Sequence, residues 1–170
     1  MNQDGARLIA SDLLRHPAAT KFDLNQVVQK LADLRQPEYH RHNIALMLDL
    51  ATDVPKTAVD GQQIECVLLA LLARSRNAIV DAKRSHGSIT VRTSFKAGKI
   101  RLSITDDGVA DAAPISGAPF TTTPEEDINL TTCAEIVQDQ AGELYAWRPR
   151  HSATTTILMD LPVDGYFSHT

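Results

Sequence analysis

The run Ile104-Thr105-Asp106-Asp107-Gly108-Val109-Ala110 closes a strongly patterned segment, SITVRTSFKAGKIRLSITDDG, over residues 88–108. Apolar and polar residues alternate on both sides of Lys96-Ala97-Gly98, the pattern of two strands joined by a tight turn. The strands are expected over 88–95 and 99–105, which places the Asp106 carboxylate just past a strand end. Gly108 then lets the backbone turn where a side chain would obstruct it. Surface turns also use Asp-Asp-Gly freely, so this stretch alone reads as a turn first and as a site second.

Working upstream, residues 60–83 form the strongest helical pattern. Ile64, Val67, Leu68, Leu71, Leu72, Ser75, Ala78, Ile79 and Ala82 trace one continuous stripe. Residues 43–52 (NIALMLDLAT) alternate Ile44, Leu46, Leu48 and Leu50, as a strand buried on one face does. Before it, Asp23 with Gln26 three residues on reads as a helix start, and Leu24, Val27, Val28, Leu31 and Leu34 supply an apolar face to Gln36 or beyond. A shorter helix is expected over residues 5–16, ended by Pro17, with a linker to Lys21.

Downstream, residues 109–126 hold prolines at 114, 119 and 124 and no periodicity. A loop this long tends to be functional, often a lid. Leu130 to Gln140 is helical, with Gly142 as its terminator. Residues 143–147 and 154–161 make a last hairpin. The order predicts an α+β fold: a two-layer sandwich with about three helices on one face of a mixed sheet of about five strands.

Composition sets bounds. The 170 residues suit one domain, with 43% hydrophobic and 22% charged residues and a net charge of -4. No basic run compensates that charge, which argues against nucleic acid. Cys66 and Cys133 lack metal or redox spacing and read as reduced, core-type thiols. No apolar run is long enough to span a bilayer, no signal-peptide pattern is present, and no membrane contact is expected; a cytoplasmic protein is.

The run from Phe22 to Pro162 resembles the catalytic ATP-binding domain of sensor histidine kinases, a GHKL-type (Bergerat) fold shared with gyrase and mismatch-repair ATPases. IECVLLALLARSRNAIVDA stands where that family has its asparagine-box helix. ITDDGVA resembles the first glycine box, PFTTT the phenylalanine-containing lid, and the stretch from Ile128 through CAEIVQDQAGELYAW the second glycine box with its helix and strand. TTTILMDLP resembles the closing strand. The resemblance divides the chain into residues 1–17, like the last turns of a dimerisation and phosphoacceptor hairpin, an ATPase-like domain over 18–162, and a loose tail over 163–170.

By that resemblance Asp106 accepts a hydrogen bond from the adenine amino group, Gly108 gives the base close approach, and Ile104 and Thr155 belong to the same adenine site. Phe120, Thr121, Asn129 and Asn77 fall in the lid and phosphate region. ATP and Mg2+ are the implied cofactors. The match is incomplete. Ala110 stands where a second glycine is expected. Ala70 and Arg74 stand where the family has two asparagines, one of them commonly a magnesium ligand, and neither can bind a cation. Asn77 lies seven residues beyond Ala70, within roughly 20° on a helix at about 100° per residue, so a shifted reading leaves it one usable amide for the metal. The reading it fits first is a polar residue on a solvent-facing stripe.

The glycines of the second box fall on Glu125, Asp127 and Asn129. In the family such glycines let backbone N–H groups wrap phosphate. A carboxylate about 5 Å from a phosphate charge is repelled by about 3 kcal/mol at an effective dielectric near 20, roughly a hundredfold in affinity. Acids at a helix start also stabilise its dipole unaided. His16, followed by Pro17, makes a poor phosphoacceptor. His40 and His42 lack further ligands nearby and read as exposed.

The expected function is therefore a degenerate histidine-kinase-type domain of two-component signalling, with weak or no ATP binding, working through contacts with a histidine kinase or response regulator. The alternative is a working domain that passes the ATP γ-phosphate to a histidine. A histidine-phosphotransfer adaptor is a third possibility.

Overall fold

Asp23 starts the first helix as the spacing predicts: its Oδ1 accepts the Gln26 backbone N–H at 3.0 Å. That helix, α1, runs Leu24–Arg41, beyond Gln36 and through Pro37. Proline removes one backbone donor there. The last turn is held from outside: the Tyr39 ring is buried, and Glu38 lies between Arg35 at 3.1 Å and Arg76 of the neighbouring helix. Burial, with the nearby Glu38 charge, pushes the Tyr39 phenol up to about 12. Leu34, expected on the apolar face, is instead 66% exposed; α1 buries Leu24, Val28, Leu31, Ala32 and Tyr39.

The computed structural model describes residues 21–108, 128–148 and 152–163. After α1 come β1 (Ile44–Leu50), α2 (Gly61–Asp81), β2 (Gly87–Lys96), β3 (Lys99–Asp106), α3 (Ile128–Asp139), β4 (Glu143–Trp147) and β5 (Thr155–Pro162). The strands form one five-stranded sheet in the order β1-β2-β3-β5-β4. β1 pairs with β2 in parallel and the other pairs are antiparallel, so the sheet is mixed. The expected sandwich of helices on a mixed sheet is what forms. The helix expected over residues 5–16, the loop over 109–126 and all but the first residue of the tail lie outside the described residues.

Strand parity and helix period together build the core. Val91, Ile104, Ile157 and Ala146 form one transverse row on the inner face, and Thr93, Leu102, Met159 and Leu144 the next. All eight are buried. The α2 stripe lies over them, with Ile64, Val67, Leu68, Leu71, Leu72, Ser75 and Ile79 buried. Full burial of one such aliphatic side chain contributes about 1.5–3 kcal/mol. Asp60 caps α2 through the N–H groups of Gln62 and Gln63 at 3.1 and 3.2 Å. One polar network crosses the layers: Thr93 Oγ1 donates to Asn25 Oδ1 at 2.8 Å, and both side chains bond the backbone of Ala51.

Of the cysteines, Cys133 is buried on α3 as expected, and burial pushes its thiol up. Cys66 is exposed on α2, so only one of the two is core-type. Among the described residues no helix is long and apolar enough to cross a membrane.

The end of α3 departs from the expected glycine stop by one residue. The Gly142 N–H bonds Val137 O at 2.9 Å and the Ala141 N–H bonds Gln138 O at 2.9 Å, the paired bonds of a Schellman cap. The left-handed position is Ala141, at φ 58°, not the glycine. Gly142 serves space: a Cβ there would come within 2.5 Å of the Asp160 carbonyl oxygen. Ala141→Gly should therefore stabilise the domain by about 0.5–1 kcal/mol, since only glycine adopts this φ without strain. Urea unfolding of the two proteins checks it, and an unchanged or lower midpoint contradicts it.

Candidate functional site

β3 alternates Ile100, Leu102 and Ile104 inward, and Asp106 continues that parity. It is not past the strand end, as expected, but is the last residue of the strand, paired with Ile89 on one side and Thr155 on the other. Its side chain therefore enters the layer between sheet and helices and is 1% exposed. Thr155 beside it is equally buried. The predicted pair is brought together at one end of the inner face.

Three groups meet the Asp106 carboxylate. Ser75 Oγ, from the buried stripe of α2, donates to Oδ2 at 3.0 Å, and the Gly108 N–H donates to Oδ1 at 3.2 Å. Arg74 brings Nη1, itself shut off from solvent, to 4.0 Å of Oδ2. Thr155 Oγ1 accepts from Arg148 Nε at 3.2 Å and Nη2 at 2.7 Å. Burial pushes the Asp106 carboxyl up; the Ser75 hydroxyl, Arg74, the Gly108 N–H and Arg148 each pull it back without cancelling the rise.

The adjacent carboxylate does something else. Asp107, facing the other way by strand parity, accepts from Ser88 N at 2.8 Å and Ser88 Oγ at 2.9 Å, with Arg84 3.8 Å away. It fastens the end of β3 to the start of β2. Gly108 is held by packing: a Cβ there would meet the backbone of α2, 2.6 Å from Ala78 C and 2.7 Å from Ile79 N. Ile104 is fully buried between Val91 and Ile157, a core residue one row below Asp106.

Asn77 does not join this group. It lies two residues beyond Ser75, about 200° round the helix, and is exposed. Its Oδ1 accepts from Arg76 Nε at 3.1 Å and Nη2 at 2.6 Å, so the oxygen offered to a metal faces a guanidinium. Among the described residues no group of three or more His, Cys, Asp or Glu side chains could hold a metal ion. Phe120, Thr121, Glu125 and Asp127 lie outside the described residues. Asn129 falls within α3, but its side chain is outside the description. His40, His42 and His86 are exposed.

Sequence reasoning missed two partners. Ser75 carried a signal, since a serine in a buried stripe needs a hydrogen-bond partner. Arg148 carried none: it reaches Thr155 only because β4 and β5 pair.

No protein-family model matches the chain. Among curated proteins it is 27% identical over 154 residues to the C4-dicarboxylate transport sensor protein DctS of Rhodobacter capsulatus, covering 88% of this chain and 23% of that protein. It is 31% identical over 134 residues to DctB of Rhizobium meliloti, covering 76% and 21%. The chain thus spans less than a quarter of the length of these relatives. Among solved structures, the catalytic domain of histidine kinase ThkA superposes with a TM-score of 0.66 at 20% identity, covering 84% of this chain and 94% of that one. ThkA in complex with the response regulator TrrA gives 0.63 at 19%, covering 93% and 47%.

Two outcomes test this geometry. Gly108→Ala should destabilise the domain by about 1–3 kcal/mol through overpacking against the α2 backbone; a denaturant midpoint equal to wild type refutes it. Asp106 has a folded pKa above its unfolded value, so the folded state binds the proton more tightly. Its contribution is full below the unfolded value near 3.8 and is lost as pH rises through the raised folded value. Asp106→Asn, which mimics the protonated form, should gain stability relative to wild type as pH rises from 4 to 7. Unfolding curves across that range that keep a constant difference would exclude it.

Proposed function

From the premise that the chain has the GHKL-type ATP-binding fold of sensor histidine kinase catalytic domains, we propose that it is a degenerate member of that class, binding ATP weakly or not at all and acting through protein contacts in two-component signalling. The observation that carries this reading is the state of Asp106. A carboxylate that is to accept the adenine amino group must present an oxygen that a ligand can reach. Here it is 1% exposed and engaged by Ser75, the Gly108 N–H and the Arg74 charge.

The residues present do not fit magnesium-ATP. Arg74 brings a fixed positive charge to the place of one of the family's two asparagines, Ala70 leaves the other without a ligand atom, and Asn77 turns its oxygen to Arg76. Glu125 and Asp127 would repel phosphate at the second glycine box.

A partner follows from the same reading. ThkA is solved in complex with the response regulator TrrA, which supports a two-component partner for a domain of the same fold. A response regulator or a histidine kinase is the partner proposed here, with the cytoplasm as its place.

The second reading, a working catalytic domain, draws support from one observation: Asp106 and Thr155 stand side by side on the inner face, where the adenine-recognising pair belongs. Calorimetric titration of the purified chain with magnesium-ATP separates the two. No binding up to millimolar nucleotide is expected. A dissociation constant of roughly 50 µM or tighter, about −6 kcal/mol, would sink the degenerate reading. In that event Asp106→Asn should abolish the binding, as the working-domain reading requires.

A further inference from the structure

Asp106 and Thr155, buried side by side, are approached by two guanidinium groups. Arg74 comes from α2, one residue before Ser75, and reaches the same carboxylate oxygen that Ser75 bonds, Oδ2. Arg148 comes from the end of β4 and gives two N–H donors, Nε and Nη2, to Thr155 Oγ1. Asp106 and Thr155 are direct partners across the β3–β5 ladder, so the two arginines converge on one place.

A guanidinium suits that place chemically. It is planar, always charged and carries five N–H donors in a fixed fork. Toward a carboxylate it presents what an exocyclic purine amine presents, an N–H donor at the edge of a flat group, with a full positive charge added. Being covalently attached, it holds its position at an effective concentration that a diffusing ligand must outcompete. Both arginines also relieve the burial of the Asp106 charge, so displacing them exposes a cost that a neutral base does not offset.

Resting on the degenerate reading above, we infer that Arg74 and Arg148 are built-in occupants of the place beside Asp106 and Thr155 where a purine base is expected, standing in for the base and excluding it. Base exclusion is then a property of two side chains, separable from the loss of the phosphate loop. Adenosine is the probe that isolates it, because it has no phosphate for Glu125 or Asp127 to repel.

The test compares wild type with Arg74→Gln, Arg148→Gln and the double variant, by calorimetry and thermal shift with adenosine. Wild type should give no detectable binding at millimolar adenosine. The double variant should bind at least tenfold more tightly than the wild-type detection limit, and adding Asp106→Asn should remove that gain. A double variant that is folded by circular dichroism yet binds adenosine no better than wild type overturns the inference and leaves the degenerate reading standing. Tight magnesium-ATP binding by wild type overturns the degenerate reading instead.

Should the variants fail to fold, the wild-type protein still decides. The Arg148 Nε–H resonance should exchange slowly with water and move on Thr155→Val. Exchange at the rate of free arginine would show that Arg148 does not occupy that place.

Discussion

One buried carboxylate aligns this molecule. Asp106 sits in a mostly apolar inner face, where an unpaired charge would be far costlier than any single contact around it. Its partners therefore have to be in place, and they come from more than one element. Ser75 fixes the rotation of α2 over the sheet; the Gly108 N–H fixes how the chain leaves β3. Thr155 ties the start of β5 to the same row, with Arg148 reaching in from β4. Apolar packing sets the two layers together without choosing a register between them. At this end a polar group chooses it.

The neighbouring residues show how much one step of strand parity decides. Asp106 and Asp107 are chemically identical. The first enters the core layer and meets α2; the second faces out and bonds Ser88 on the adjacent strand. A one-residue shift in the β2–β3 register would exchange those fates, placing a carboxylate with no serine to meet it inside the sandwich. The tight Ala97-Gly98 turn, with φ of 52° and 73°, guards against that slip.

The parts of the fold that were legible in the sequence are those governed by period. The alternation of β1, β2 and β3 and the stripe on α2 place their residues as found, because a buried face leaves one solution for each pattern. What was hidden depends on tertiary context. Pro37 should end a helix, yet Tyr39 burial and the Glu38–Arg76 pair carry α1 on to Arg41. Leu34 fits an apolar face by spacing but points where no layer covers it. At the site, Asp106 was found as a residue, but its place inside the strand followed from a parity that the turn-like Asp-Asp-Gly obscured. Arg74 was visible only as a wrong residue for a metal. That it turns toward Asp106, and that Arg148 meets Thr155, are facts of chain crossing that no local pattern encodes.

Gly108 carries a wider lesson about motifs. The α2 backbone lies so close that no side chain fits, whatever the pocket above it contains. A lineage that stops binding nucleotide thus gains no freedom to replace this glycine. Asp-x-Gly at this position is a mark of how a strand end meets a helix, and a search keyed on it retrieves an architecture rather than an activity.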